Sequence, residues 1–363
     1  MKVLVYQAKP RLCLTSEAFI GAIDEIVGRL KSEHSPDLII FPECMGLWMC
    51  MMEPISFLSR IFSRFLPRHS STARVAIAGI GGGWSDDVAE RMAISIQFAR
   101  PSALRDGVSA SSSPSLLGGI RDYDILGASI SSQDEAMMKA GWIERIATWF
   151  FERLHLRFIG MRMRSDEELT TYLKAFSAAA VKHRVAIQAG SLFVFKDGRL
   201  LNIAFTFDED GKIVSEQQKI HPIPFEGMLG VEGGSGISPF IIGGVKCGVA
   251  ICADVNFKDD HVRALADAGC RVICCPSGGI VPSHMWKFDF EKDVAVVHLA
   301  RSQETGTIIC RSYNAGDLIP SVLMFQGRST ITAPKEMDED GDGLISMVPE
   351  EDFRDEAVLV YEV

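Results

Sequence analysis

Apolar residues change their spacing along this chain in a way that marks out strands and helices in alternation. Val3 to Gln7 is a short apolar run that reads as a first strand. Phe19, Ile23, Ile26, Val27 and Leu30 then recur at intervals of three and four, which places them on one stripe of a helix. Leu38 to Phe41 reads as a second buried strand, ending at Pro42-Glu43. Between Cys44 and Arg164 the regularity fades. That stretch is rich in Gly, Ser and Met, and Gly81-Gly82-Gly83 and Ser109 to Ser115 read as loops. Order returns at Ser165, which forms a capping box with Glu168, each side chain satisfying a free N–H of the first helical turn. Leu169, Leu173, Phe176 and Ala180 are the predicted buried stripe of that helix.

Strands are predicted at Val185 to Ala189, Leu192 to Phe195 and Ile203 to Phe207. Asp208-Glu209-Asp210-Gly211 is a hairpin turn into a returning strand, Lys212 to Gln218. Val245 to Cys252 is another buried strand. Asp259 to Ala268 is a helix stopped by Gly269, and Arg271 to Cys275 the next strand. Phe288 to Glu304 is a long helix ended by Gly306, and Thr307 to Ser312 is again a strand. Ser321 to Ala333 and Leu344 to Val363 read as late, partly antiparallel elements. The pattern predicts layered α/β architecture, with helices covering mixed sheets. It is read as a single domain over residues 1–363 with an inserted cap-like segment at about 44–164.

Composition narrows the function. Apolar residues make up 47% of the chain, enough for a large core. The formal net charge of −10 argues against nucleic acid as a partner, because phosphate binding needs a basic face. The nine cysteines are odd in number and scattered through apolar runs, which suits reduced thiols in a cytoplasm, not a disulfide framework. Neither a signal-peptide pattern nor a membrane-length apolar run is visible.

Three ionisable residues each follow a strand-like run: Glu43, Lys219 and Cys252. Groups at strand ends can converge on one rim of a sheet. A thiol attacks a carbonyl only as a thiolate, so it needs a base or a cation nearby. Glu43 could take the proton. Lys219 could stabilise the thiolate and then an oxyanion, with the backbone N–H of Ala253 as a second donor. On spacing alone, however, a buried core thiol is the more ordinary reading of Cys252.

The segments around these residues change that. Asp37 to Glu43 (DLIIFPE), Gln218 to Glu226 (QKIHPIPFE) and Gly248 to Pro276 (GVAICADVNFKDDHVRALADAGCRVICCP) stand in the order of the three motifs of the nitrilase, or carbon–nitrogen hydrolase, superfamily. Gly190-Ser191, Asn202, Arg301 and Asn314 to Gly316 also fall where family members carry similar residues. The chain resembles that family over roughly residues 1–43 and 165–363. The resemblance implies a four-layer αββα sandwich that often pairs into homodimers, and thioester chemistry on amides, carbamoyl groups or nitriles. It implies Glu43 as base, Lys219 as oxyanion stabiliser and Cys252 as nucleophile, with Glu226 helping to hold the Lys and the substrate. No cofactor and no metal are implied.

Three departures touch the pocket. Ala253 stands where an aromatic is usual, Asn256 where amidase branches often carry Arg, and the gap after Glu43 is far longer than usual. Asn256, His221, His284 and Trp286 are therefore candidate pocket residues, with His221 also read as an orienting side chain. The favoured substrate is a small primary amide. The alternatives are an N-carbamoyl compound, a nitrile, acyl transfer to an amine, and a non-catalytic scaffold.

Other features have plainer readings. Asp338, Asp340, Asp342 and Gly343 resemble the start of a calcium loop, but the twelfth position is Pro349, so an acidic turn is expected. Gly81-Gly82-Gly83 lacks the Lys-Ser/Thr of a phosphate loop. Cys270, Cys274 and Cys275 lack zinc spacing and read as core. Phe57 to Leu66 and Ile143 to Leu154 carry apolar residues at helical spacing beside arginines. Packing on the domain or on a second copy is the favoured reading, and contact with a membrane surface the lesser one.

Overall fold

The computed structural model describes residues 1–46 except 12 and 14, then 166–223, 226–227, 230–256, 261–282, 290–319, 323–325 and 327–363. Phe57 to Leu66, Ile143 to Leu154, Ser165, His284 and Trp286 lie outside the described residues.

The chain begins β1 (Lys2–Gln7), α1 (Ser16–His34), β2 (Leu38–Ile40), and resumes as α2 (Asp166–His183), β3 (Ala186–Lys196), β4 (Arg199–Phe207) and β5 (Ile213–Gln218). There follow β6 (Phe240–Ile242), β7 (Val245–Val249), α3 (His261–Asp267), β8 (Val272–Ser277), β9 (Ile280–Pro282) and α4 (Phe290–Thr305). The last strands are β10 (Ile308–Tyr313), β11 (Asp317–Ile319), β12 (Leu323–Phe325), β13 (Thr330–Thr332), β14 (Leu344–Met347) and β15 (Ala357–Glu362).

Two six-stranded mixed sheets result, ordered β15-β1-β2-β3-β4-β5 and β14-β13-β10-β8-β7-β6, with a small third sheet β11-β12-β9. Strands β1, β2 and β3 run parallel, as do β7, β8 and β10, while the hairpin strands at the edges run antiparallel. Successive side chains of a strand point to opposite faces. In β1, Leu4 and Tyr6 therefore join α1 and α2 in one core, while Val3 and Val5 face the second sheet. The inter-sheet core contains Leu38, Ile40, Val249, Cys274 and Cys310. On the far side of the second sheet, Ile273, Cys275 and Ile309 pack with Val262 and Leu265 of α3. The layers are thus helix, sheet, sheet, helix: the predicted α/β sandwich. Each Val, Leu or Ile fully buried in such a core contributes about 1.5–3 kcal/mol.

Helix α1 carries the predicted stripe and is capped at both ends. Thr15 Oγ1 accepts from Ala18 N at 3.1 Å, and Ser35, with φ 50°, donates its N–H to Lys31 O to close the helix. In α2 the core face differs from the predicted stripe. Tyr172, Ala175, Phe176, Ala179 and Ala180 are buried, while Leu169 and Leu173 are half-buried at its margin. The Tyr172 hydroxyl donates to Ala189 O at 2.6 Å, so an aromatic with a polar tip sits deeper than the leucines.

Candidate active site

Glu43, Lys219 and Cys252 come from different strand ends. Glu43 follows β2 and Lys219 follows β5, both in the first sheet, whereas Cys252 follows β7 in the second. The fold brings them together. Lys219 Nζ lies 2.7 Å from Glu43 Oε1 and 2.7 Å from Glu226 Oε2. Asn202 Nδ2, from β4, donates to Glu43 Oε1 at 2.9 Å and to Glu226 Oε1 at 2.7 Å. Ile223 N donates to Glu226 Oε2 at 2.9 Å. The Cys252 thiol feels the charges of Glu43 and Lys219, and the Gly278 backbone favours its ionised form. Glu43, Lys219, Glu226 and Asn202 are all buried, and Cys252 is partly exposed.

Two carboxylates, one ammonium and one thiol in a largely buried site shift one another strongly. Burial raises the Glu43 carboxyl, and Glu226 adds to this; Lys219 opposes them without cancelling them, so Glu43 is a stronger base than an ordinary glutamate. Burial alone would lower the Lys219 ammonium, but Glu226 and Glu43 hold it well above its usual range. Burial and the charge on Glu43 raise the Cys252 thiol, and the opposing pull of Lys219 is smaller. These influences favour the protonated thiol over the thiolate at Cys252.

Backbone geometry aims the pair. Cys252 has φ 49° and opens a 3-10 turn, Cys252–Val255; Cys44, next to Glu43, has φ 60°. Left-handed backbone at a non-glycine residue costs about 1–3 kcal/mol and persists where the surroundings enforce it. Here Glu43 N donates to Ser277 O at 3.4 Å, Asn314 Nδ2 donates to Glu43 O at 2.7 Å, and Cys44 N donates to Ser191 Oγ at 3.3 Å. Ala253 is the second residue of the turn, where N–H groups have no helical acceptor of their own.

The other candidates are placed as follows. His221 is partly exposed, and its ring Nδ1 lies 3.2 Å from Asp254 Oδ1. Asn256 closes the 3-10 turn, with its Oδ1 buried and without a partner among the described residues. Sequence reasoning gave Asp254 and Gly278 no role, and Asn202 none beyond its resemblance. A signal for Asn202 did exist: it is a lone amide inside the otherwise apolar run Leu200 to Phe205. Among the described residues no cluster of His, Cys, Asp or Glu is placed to hold a metal ion.

Fold and site define a layered α/β sandwich with a buried carboxylate–ammonium–thiol cluster at one end. The profile of the family described as carbon–nitrogen hydrolase matches residues 146–336, more than half of the chain, and the chain belongs to that family. The match includes Lys219, Glu226 and Cys252; Glu43 lies before it. A probable hydrolase of Bacillus subtilis, YhcX, is 35% identical over 114 residues, 31% of this chain and 22% of that protein. The 2-oxoglutaramate amidase of the same organism is 31% identical over 110 residues, 30% of this chain and 42% of that protein. The chain thus aligns with less than half the length of either relative. Among solved structures, an amidase from Nesterenkonia sp. AN1 with acrylamide added at its active-site cysteine superposes with a TM-score of 0.55. The identity is 14%, covering 100% of this chain and 93% of that one, and at that identity the likeness is one of fold.

Proposed function

We propose that the protein hydrolyses a non-peptide C–N bond, most simply a primary amide of a small carboxylic acid, through a thioester on Cys252. The observation that carries this is the buried Glu43 carboxylate, which accepts a hydrogen bond from Lys219 Nζ at 2.7 Å and is electrostatically coupled to the Cys252 thiol. In the first step the sulfur attacks the carbonyl carbon as its proton passes to Glu43. Lys219 and the Ala253 N–H stabilise the oxyanion. Glu43 returns the proton to the departing nitrogen, so ammonia and the thioester form. Water, deprotonated by Glu43, then cleaves the thioester to the carboxylate and regenerates the thiol. Glu226 and Asn202 hold Lys219 and Glu43 in place.

Ala253, in place of an aromatic, supports an amide over a nitrile. Neither an N-carbamoyl substrate nor acyl transfer would need a different cluster, because each uses the same thioester-forming step. The test is an ammonia-release screen over small amides, carbamoyl compounds and nitriles, with Cys252→Ala as control. Turnover of an amide, lost in the Cys252→Ala protein, is the expected result. Equal ammonia release by both proteins would reject the proposal.

A further inference from the structure

The cluster straddles two sheets, so its distances depend on how those sheets are held at this end. Lys219 leaves the first sheet and Cys252 leaves the second, and the described cysteines form no disulfide between them. Asp254, fully buried two residues after Cys252, spans the gap. Its Oδ1 accepts from His221 N at 2.8 Å and lies 3.2 Å from His221 Nδ1. Its Oδ2 accepts from Ile220 N at 3.2 Å and from Ile251 N at 3.3 Å. Ile220 and His221 are the two residues directly after Lys219, and Ile251 is the residue directly before Cys252. One carboxylate therefore binds the backbone on the Lys219 side with one set of bonds and the backbone on the Cys252 side with another.

We propose that Asp254 is a positioning residue: its carboxylate locks the Lys219 segment to the Cys252 turn and thereby sets the spacing between ammonium and thiol. The inference rests on the reading of Cys252 as the nucleophile. A carboxylate suits the task because it offers two oxygens and only accepts, while all its partners are N–H groups. Bonds to a charged acceptor are also stronger than neutral ones, which suits a tie that must resist shear between sheets. An amide of the same shape would turn an NH2 toward one set of N–H donors and lose half of the tie. A displacement of about 1 Å at a catalytic group can lower a rate about 100-fold.

The test compares Asp254→Asn and Asp254→Glu with the unaltered protein. Three readings are taken: thermal melting, the rate of Cys252 alkylation by iodoacetamide against pH, and kcat and KM for whichever amide the screen identifies. Asp254→Asn is expected to fold, to alkylate Cys252 at least 10-fold more slowly at neutral pH, and to shift the pH profile of that reaction. Its kcat should fall at least 10-fold while KM changes less than 3-fold. Asp254→Glu keeps the charge but moves it by one methylene, and its alkylation rate should lie between the other two. A folded Asp254→Asn protein with the alkylation profile and kcat of the unaltered protein would overturn the inference. So would a loss of activity no larger than its loss of folded protein. If Asp254→Asn does not fold, Asp254→Glu decides alone, and an unaltered profile there overturns the inference. Failure of the functional reading looks different: Cys252 would not be the fastest-reacting thiol even in the unaltered protein.

Discussion

Glu43 accepts from both Lys219 and Asn202 and is electrostatically coupled to the Cys252 thiol. Glu43→Gln preserves the shape and some of the bonds but removes the proton acceptor. Positioned general bases contribute about 100- to 10,000-fold, so kcat should fall by that range with the melting temperature little changed. A Glu43→Gln protein with near-normal kcat would remove Glu43 from the proton path. The acid limb of activity follows from the same residue. The proposed mechanism needs ionised Glu43, and its folded value is raised by burial and by Glu226. Activity should therefore decline, as pH falls, at a higher pH than the usual carboxylate value of about 4.3 would set; an acid limb at or below that value would contradict the burial argument. Thiol mapping offers an independent check. Among the described cysteines only Cys44 and Cys252 are partly exposed, and the proposed mechanism gives Cys252 the Glu43 carboxylate as its base. Mild iodoacetamide should modify Cys252 first, and preferential labelling of Cys44 would count against Cys252 as nucleophile.

At the scale of elements, the instructive strand is β3. The sequence predicts two strands, Val185 to Ala189 and Leu192 to Phe195, parted at Gly190. The structure has one strand, Ala186–Lys196, with a register shift against β4 between Gln188 and Ser191. Gly190 has φ 78°, and the Gln188 side chain bonds both its N–H and its C=O, at 3.1 and 3.0 Å. A Cβ at Gly190 would lie 1.9 Å from Pro42 O, directly before Glu43. The bulge thus lets the neighbouring strand end press close and helps fix Glu43. Gly190→Ala should cost about 3 kcal/mol or more, from positive φ combined with a backbone clash. Denaturant unfolding checks this, and a cost below about 1 kcal/mol would show that the bulge is not needed. The parting was legible because Gly interrupts an apolar run; the continuation was not, because a bulge is stabilised by tertiary contacts. The Glu43, Lys219 and Cys252 segments were legible because each carries a contiguous motif. The ties that join them, Asp254 to His221 and Asn314 to Glu43, were not, because they link residues 33 and 271 positions apart. The β6–β7 hairpin escaped notice because β6 is only three residues long.

At the scale of the whole molecule, the second sheet and α4 enclose a charge whose consequences reach overall stability. Arg311 of β10 is fully buried, with its guanidinium 4.6 Å from the Tyr313 ring and its Nη2 3.3 Å from Arg328 O. Thr330 stands opposite it on β13 and Cys275 on β8. His298 of α4 is also buried, and its ring is held well below the usual imidazole range, first by burial and then by Arg311. The folded protein therefore keeps His298 neutral where the unfolded chain, with a value of about 6.5, binds a proton. The stability this contributes is fully present above about pH 6.5. It declines as pH falls, by up to about 1.4 kcal/mol per pH unit, until the folded value is reached. Other groups also titrate in that window, so the informative quantity is the difference between the unaltered protein and His298→Gln. That difference should change with pH by up to about 1.4 kcal/mol per unit between pH 6.5 and 5, the variant losing less stability on acidification. Arg311→Met should act in the same direction by a different route: with the neighbouring cation gone, His298 accepts a proton at a higher pH in the folded state, and the window of acid loss narrows. Urea unfolding at a series of pH values measures both. A constant difference across the window would mean that His298 is protonated in the folded state or solvated there, and that α4 does not seal the layer as its burial implies.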